Sequence, residues 1–223
     1  MADIAGFYVH AALDQLTKVA CFENAQRVLE IGGGTGRFAA RLLEHELPND
    51  AQYVDMEPSA TMRKLATRRL EHWQTRADVR TLQDGRIDAW IGRVDRYVAT
   101  YVLNVLPDNE AIHEQLNRAH RMLSPTGLLC MVNQTYGRDG FQLAISKTWM
   151  RLYERMPNVL GNCRLIDAQR DYIDDSCWRV HYREVVCRFG FCSEVIVVGK
   201  HKGEDEKIRL SKKRRAASLE RND

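Results

Sequence analysis

Three glycines separated by single residues, Gly32, Gly34 and Gly36, follow the apolar run Val28-Leu29-Glu30-Ile31 and precede a helical pattern. Without Cβ atoms at these positions the backbone can pass close beneath a ligand, and the N-terminus of the next helix points at it. Such a turn can cradle a nucleotide-like cofactor. A dinucleotide fingerprint needs a third small residue at position 37 to admit the pyrophosphate. This chain has Arg37 there, which disfavours NAD and FAD. Asp55, nineteen residues after Gly36, ends the next apolar run. A carboxylate at the end of that second strand can accept both hydroxyl hydrogens of a ribose. Glu57 is the next candidate if Asp55 does not make the contact.

These groups must be held by an alternating framework. A helix is expected over residues 6–22, then a strand Arg27–Ile31, a helix from Gly36 to Leu47 and a strand Ala51–Asp55. Pro58 suits a first helical turn, and Met62, Leu65, Ala66 and Leu70 repeat at helical spacing behind it. Val79–Leu82 and Tyr97–Val102 read as strands. Asp108 can cap a helix carrying Ile112, Leu116, Ala119 and Leu123, and the turn Ser124–Gly127 opens a strand Leu128–Val132. Five strand-helix alternations predict an α/β fold with a largely parallel sheet covered on both faces. After Asn133 the rhythm breaks into helical stretches near Leu143–Tyr153 and Asp167–Ile173, then strands Trp178–Cys187 and Ser193–Lys200.

The pattern E-x-G-x-G-x-G over Glu30–Gly36 resembles the first motif of the class I S-adenosylmethionine-dependent methyltransferases. Tyr53-Val54-Asp55-Met56-Glu57-Pro58 resembles their second motif, and Gln83-Asp84-Gly85 their acidic adenine-contacting position. Tyr101–Asp108 resembles the fourth-strand segment of the type 11 small-molecule group, which includes quinone-biosynthesis enzymes. The likeness is good over about residues 25–135. It implies a Rossmann-like, mostly parallel seven-stranded sheet with an antiparallel C-terminal strand. It further implies S-adenosylmethionine as cofactor, with Glu30, Gly32, Gly34, Gly36, Asp55, Met56, Asp84 and Tyr101 as its binding residues. Plainer roles compete: Glu30 can cap the loop, Asp84 can be a turn residue and Asp108 a helix cap.

In this family the acceptor pocket is built by the N-terminal helix, the fourth-strand loop and the insertion after the fifth strand. Here those segments carry Tyr8 and His10, Tyr101 and Asn104, and Trp149, Met150, Tyr153 and Met156. The last four share a helical face, which suits a core as well as a pocket. The histidine that many type 11 members have near position 104 is replaced by Asn104, so His181 and Tyr182 are the alternatives and no catalytic residue is assigned. The expected acceptor is a small apolar or aromatic molecule. The alternatives are RNA or protein methylation with the basic tail as docking arm, and a non-catalytic cofactor-binding module.

Hydrophobic residues at 44% and charged residues at 28% bound an ordinary globular chain. Residues 1–202 are expected to form the methyltransferase domain, with 138–176 as an insertion or lid, and 203–223 a charged disordered tail. Residues 200–223 hold nine of the 33 Lys/Arg and five of the 30 Asp/Glu, leaving 24 against 25 for the rest. A near-neutral body argues against a phosphate-tracking groove and hence against a nucleic-acid partner. No apolar run is long enough for a membrane span, and the six cysteines contain no CxxC pair, so reduced thiols, no metal and a cytoplasmic location are expected.

Overall fold

A computed structural model describes residues 2–156 and 162–201, with side chains from residue 9 onward. Seven strands form one sheet: β1 (Arg27–Ile31), β2 (Gln52–Met56), β3 (Ala77–Arg80), β4 (Val94–Thr100), β5 (Leu123–Thr135), β6 (Trp178–Arg188) and β7 (Phe191–Lys200). Their order is β3-β2-β1-β4-β5-β7-β6. The first five pair in parallel, and β7 inserts antiparallel between β5 and β6. Strand order reverses between β1 and β4, so the loops at the carboxyl ends of these strands diverge and leave a crevice.

One face carries α1 (Ala2–Val19) and α2 (Arg37–His45), which bury Leu16, Phe38, Leu42 and Leu43 against Val28, Tyr53, Val98 and Val197. On the other, α4 (Asn109–Met122) presents Ile112, Leu116, Ala119 and Met122 to Tyr97, Leu129, Met131 and Ile196. Two apolar clusters of about twenty residues sandwich the sheet, which explains why its central strands read as nearly unbroken apolar runs. Arg96 in β4 is a buried exception. Its guanidinium donates to the carbonyls of Ala20, Cys21 and Asp95, tying the end of α1 to the sheet.

Several boundaries differ from the sequence expectation. Helix α3 (Ala60–Arg69) starts after Pro58 because Ser59 caps it, accepting from Met62 N. Its expected apolar face is only partly used: Ala66 and Leu70 are buried, while Met62 and Leu65 are exposed. β5 begins at Leu123, so the expected turn at 124–127 is an irregular stretch of strand opposite a register shift at Val94/Arg96. The β6–β7 connection is shorter than expected. Phe189 (φ 52°) and Gly190 (φ 84°) both adopt the left-handed conformation of a two-residue hairpin turn.

That hairpin also corrects the expectation of six reduced thiols. Cys187 and Cys192 face each other across β6 and β7 and form a disulfide, while Cys21, Cys130, Cys163 and Cys177 are free. The spacing of 187 and 192 hides this, because a disulfide across a two-residue turn is set by pairing register, which residue counts alone do not reveal. No helix among the described residues is long and apolar enough to cross a membrane. The tail 203–223, Tyr8 and residues 157–161 of the expected insertion lie outside what the structure describes at side-chain level.

Candidate active site

The glycine turn lies at the carboxyl end of β1, where Gly32, Gly34 and Gly36 all have positive φ. Gly34 (φ 61°) has nothing within 4 Å of where a Cβ would stand, so its outer surface is open to a ligand. Gly33 is constrained from the opposite side. A Cβ there would meet the Asp55 carboxylate at 2.6 Å, and its N–H donates to Asp55 Oδ1 at 3.0 Å. The loop is thus propped from below by the side chain that the sequence placed at the ribose.

Three acids gather under and beside this loop. Glu30 and Asp55 are register partners on adjacent strands, and both are completely buried. Tyr53 OH donates to Glu30 Oε2 at 2.7 Å, while Glu30 Oε1 and Asp55 Oδ2 are buried with no hydrogen-bond donor among the described residues. Burial, then the charge of Asp55, pushes the Glu30 carboxyl well up, with the Tyr53 hydrogen bond opposing. Burial likewise raises Asp55, against the pull of the Gly33 N–H and with help from Glu57. These two donor-free oxygens lie buried at the carboxyl ends of β1 and β2, beside the glycine turn.

Glu57 stands one residue past the end of β2 and is 5% exposed, whereas Asp55 is 0% exposed. Its Oε2 accepts from Gly34 N at 2.9 Å and its Oε1 from Ser59 N at 2.7 Å. Each oxygen keeps a lone pair for a further donor. The sequence signal was its position: Glu57 is the first polar residue beyond the strand's last buried side chain, Met56. Met56 itself is fully buried in the core on the α4 side of the sheet.

Asp84 caps a short 3₁₀ turn (Gly85–Trp90), accepting from Arg86 N and pairing with the Arg86 guanidinium. The guanidinium hydrogen bonds hold its carboxyl near about 2. Its turn role is therefore realised, and a ligand's amino group would compete with Arg86 for it. Tyr101 follows β4 with φ 60°, a conformation that costs a non-glycine residue about 1 kcal/mol or more. Its N–H donates to Val132 O at 2.6 Å and its hydroxyl shares a 2.9 Å hydrogen bond with Ser193 Oγ. Strain of this kind concentrates at functional sites, and Tyr101 follows β4, one strand from Glu30 on β1 and two from Asp55 on β2, at the same edge of the sheet.

The other expected acceptor-side residues divide. Asn104 is fully buried and structural: it donates to the carbonyls of Gln134 and Arg164 and accepts from Gln134 N. Trp149 on α5 (Gly140–Arg155) donates to Cys163 O at 2.9 Å and meets Phe191 edge to face at 5.8 Å. Met150 and Tyr153 are half-buried, Met156 and His10 exposed. His181 is an exposed residue of edge strand β6, and Tyr182 OH is engaged with Gln15 and Glu184. Among the described residues, neither His181 nor Tyr182 is brought to the glycine loop as a base. The sequence reading also missed an ion-pair network at the other end of this edge. Arg183 joins buried Glu194 (2.6 Å) to Asp167 (3.0 Å), which holds the start of α6 (Ala168–Tyr172) against β7. A glutamate inside the apolar run of β7 was its signal.

Strand order, the glycine turn and the acids at the second strand define a class I methyltransferase fold, and comparison with known proteins agrees. Residues 29–129 match a family model described as a methyltransferase domain. Over those residues the chain carries a methyltransferase domain, with S-adenosylmethionine as cofactor. An uncharacterised methyltransferase of Geobacillus kaustophilus (strain HTA426) is 27% identical over 74% of this chain and 69% of its own. The mitomycin 7-O-methyltransferase MmcR superposes with TM-score 0.62 at 16% identity, over 86% of this chain and 54% of that one. The chain thus spans about half of MmcR. A methyltransferase from Thiobacillus denitrificans in complex with S-adenosyl-L-homocysteine gives TM-score 0.59 at 11% identity, over 86% of this chain and 91% of that one. At such identities the two structures speak for the fold.

Proposed function

We propose that the chain methylates a small aromatic or apolar molecule, with the cofactor seated on Gly32–Gly36 and the acceptor beyond Tyr101, under α5. The observation that carries this reading is the joint position of the open Gly34 surface, strained Tyr101 and the Trp149–Phe191 wall, all at the carboxyl edge of β1, β4 and β5. When bound, S-adenosylmethionine supplies an electrophilic methyl carbon on a sulfonium, open to in-line displacement by an acceptor atom.

The residues then have distinct tasks. Glu30 offers Oε1 to the cofactor's ammonium, and Glu57 offers its remaining lone pairs to the ribose hydroxyls. Asp55 keeps the loop in place from beneath through Gly33. Asp84 contributes to the adenine end, in exchange with Arg86. The chain's contribution to rate is then orientation and exclusion of water, which suits an acceptor already nucleophilic near neutral pH. MmcR is named for O-methylation of mitomycin, a small molecule, which supports the same acceptor class here. Helix α5, with the described residues on either side of it in the segment after β5, serves as the acceptor-side cover.

Incubation with methyl-labelled S-adenosylmethionine and fractionated extract tests this. Label is expected in a low-molecular-weight product. Label in RNA or protein, or none in any fraction, overturns the reading.

A further inference from the structure

Helix α5 carries its apolar side outward. Its one buried side chain is the polar Ser146, whereas Phe141 is 69% exposed and Leu143 and Ala144 are exposed as well. Phe141, Ala144, Ile145, Thr148 and Leu152 follow at i, i+3, i+4, i+7 and i+11, so they form one stripe along the helix. That stripe and Phe191 border an open groove of about 360 Å³. The β6–β7 turn sits against the start of the same stripe: a Cβ at Gly190 would meet Ile145 Cδ1 at 2.0 Å and Phe141 Cε1 at 3.1 Å.

The tip of that turn adds a second observation. Phe189 adopts φ 52° at the first turn position, where a left-handed backbone favours Asn or Gly. Its ring is 78% exposed, so no burial offsets that conformational cost. A large aromatic side chain held in a strained position and out in water serves something other than the stability of the free chain. The Cys187–Cys192 disulfide closes the turn from below, so the ring is presented by a braced hairpin.

The border of the groove is basic. Lys147, Arg151 and Arg155 are exposed and four residues apart, so they line the helix beside its apolar stripe. Glu154 is the sole acid within the helix, and Asp139 is committed to capping its start through Gln142 N. Arg188 stands exposed next to Phe189. None of these four cations has a carboxylate partner among the described residues. An apolar stripe flanked by unpaired cations, with an aromatic tip beside it, matches an anionic lipid surface, whose headgroups take the charges while the acyl boundary takes the rings. A second copy fits less well, because a two-fold contact through this face would set its cations against their own copies. At 16 residues α5 is shorter than a bilayer span, and such a helix lies in the plane of the interface.

We propose that α5 and the 188–191 turn form a peripheral docking face for anionic phospholipid bilayers. Phe141 and Phe189 enter the acyl boundary, and Lys147, Arg151, Arg155 and Arg188 meet the headgroups. The face lies outside the glycine cradle, and its docking does not depend on which acceptor is methylated.

Co-sedimentation of the full chain with vesicles of phosphatidylcholine alone, and of phosphatidylcholine and phosphatidylglycerol in equal parts, tests this. Strong partition into the mixed vesicles and weak partition into the neutral ones is expected. Phe189→Asn should weaken mixed-vesicle partition about tenfold, the scale of withdrawing one large apolar side chain from lipid. Its melting temperature should hold or rise, because Asn suits the left-handed turn. Phe141→Ser should weaken partition similarly. Lys147→Gln, Arg151→Gln and Arg155→Gln should each cost about fivefold on the mixed vesicles and little on the neutral ones. All of these variants should bind S-adenosylhomocysteine as the parent does. No partition of the parent, equal partition into both vesicles, or partition that Phe189→Asn and Phe141→Ser leave unchanged each overturns the docking face. Partition that high salt abolishes and the phenylalanine variants ignore would assign the attraction to the basic residues after 202, and overturns it too. Dimerisation without lipid that Phe189→Asn abolishes would seat a second copy on this face instead.

Discussion

At the scale of single residues, the acids beneath the glycine turn were visible in the sequence as types, whereas their burial and hydrogen-bond partners were not. Asp55 and Glu57 are two positions apart, and alternation sends neighbours at such spacing to one side of a strand only while the strand continues. β2 stops at Met56, so Asp55 is pinned inward and Glu57 turns to the lip. Glu57→Gln is therefore expected to weaken S-adenosylhomocysteine binding by roughly 1.5–3 kcal/mol, the scale of hydrogen bonds to a charged group, with little change in melting temperature. Asp55→Asn should leave affinity nearly unchanged. Calorimetry on both variants decides it, and the reverse order would return the ribose to Asp55. The pair Glu30 and Asp55 also sets a pH dependence. Their folded carboxyls titrate at about 8 and about 7, above their ordinary values near 4. Raised acids contribute stability that is fully present below the unfolded values and lost as pH rises through the folded ones. Melting temperature of the free protein should thus decline between about pH 4 and 8, and Glu30→Gln should flatten that decline. Cofactor binding should release protons near pH 7, because an ammonium favours the ionised carboxylates; equal calorimetric enthalpy in buffers of different ionisation heat would rule this out.

At the scale of elements, alternation and motif spacing made β1 to β5 and their helices legible, because parallel strands buried on both faces are short apolar runs bounded by turns. What the pattern did not specify is where tertiary contacts override it. Ser59 moved the start of α3, a register shift lengthened β5, and hairpin pairing joined Cys187 to Cys192. Asn104 was read as pocket and proved to be a clamp, since its three hydrogen bonds go to backbone 30 and 60 residues away. Helix α5 is the least settled by pattern. Only Ser146 is buried on it, while Phe141 and Leu143 are exposed, so little apolar area holds it down. Against that, Ser146 bonds Gly137 N and Gln142 O, and Trp149 is tied to Cys163. A helix with so few buried apolar contacts opens at low free energy. Residues 140–155 are expected to exchange amide hydrogens faster than 109–122, and to slow when S-adenosylhomocysteine and an acceptor are both present. Slow exchange insensitive to both ligands would make α5 a fixed wall and dismiss the lid.

At the scale of the whole molecule, the last described residues still belong to the sheet. The sheet reaches Lys200 in β7, whose partner Trp178 is buried in the core, and His201 N still donates to Cys177 O at 3.0 Å. Among the described residues, both apolar clusters are drawn from residues 12–198. The residues after 202 add charge instead: the sequence there has only Ile208, Leu210 and Leu219 as large apolar side chains, set among Lys and Arg. Burial of three isolated side chains would contribute little against the entropy of ordering some twenty residues. Removal of 203–223 is therefore expected to leave melting temperature and S-adenosylhomocysteine affinity unchanged. It should, however, lower the chain's net charge, since this segment holds more Lys/Arg than Asp/Glu. If the tail is a docking arm for an anionic macromolecule, truncation should abolish a salt-sensitive association while sparing small-molecule methylation, because exposed charges act only within a Debye length of about 8 Å at physiological salt. Thermal melts and titrations at two ionic strengths on the full and shortened chains separate these cases. A melting point lower by several degrees in the shortened chain would mean that the tail packs on the body, and would extend the domain beyond residue 202.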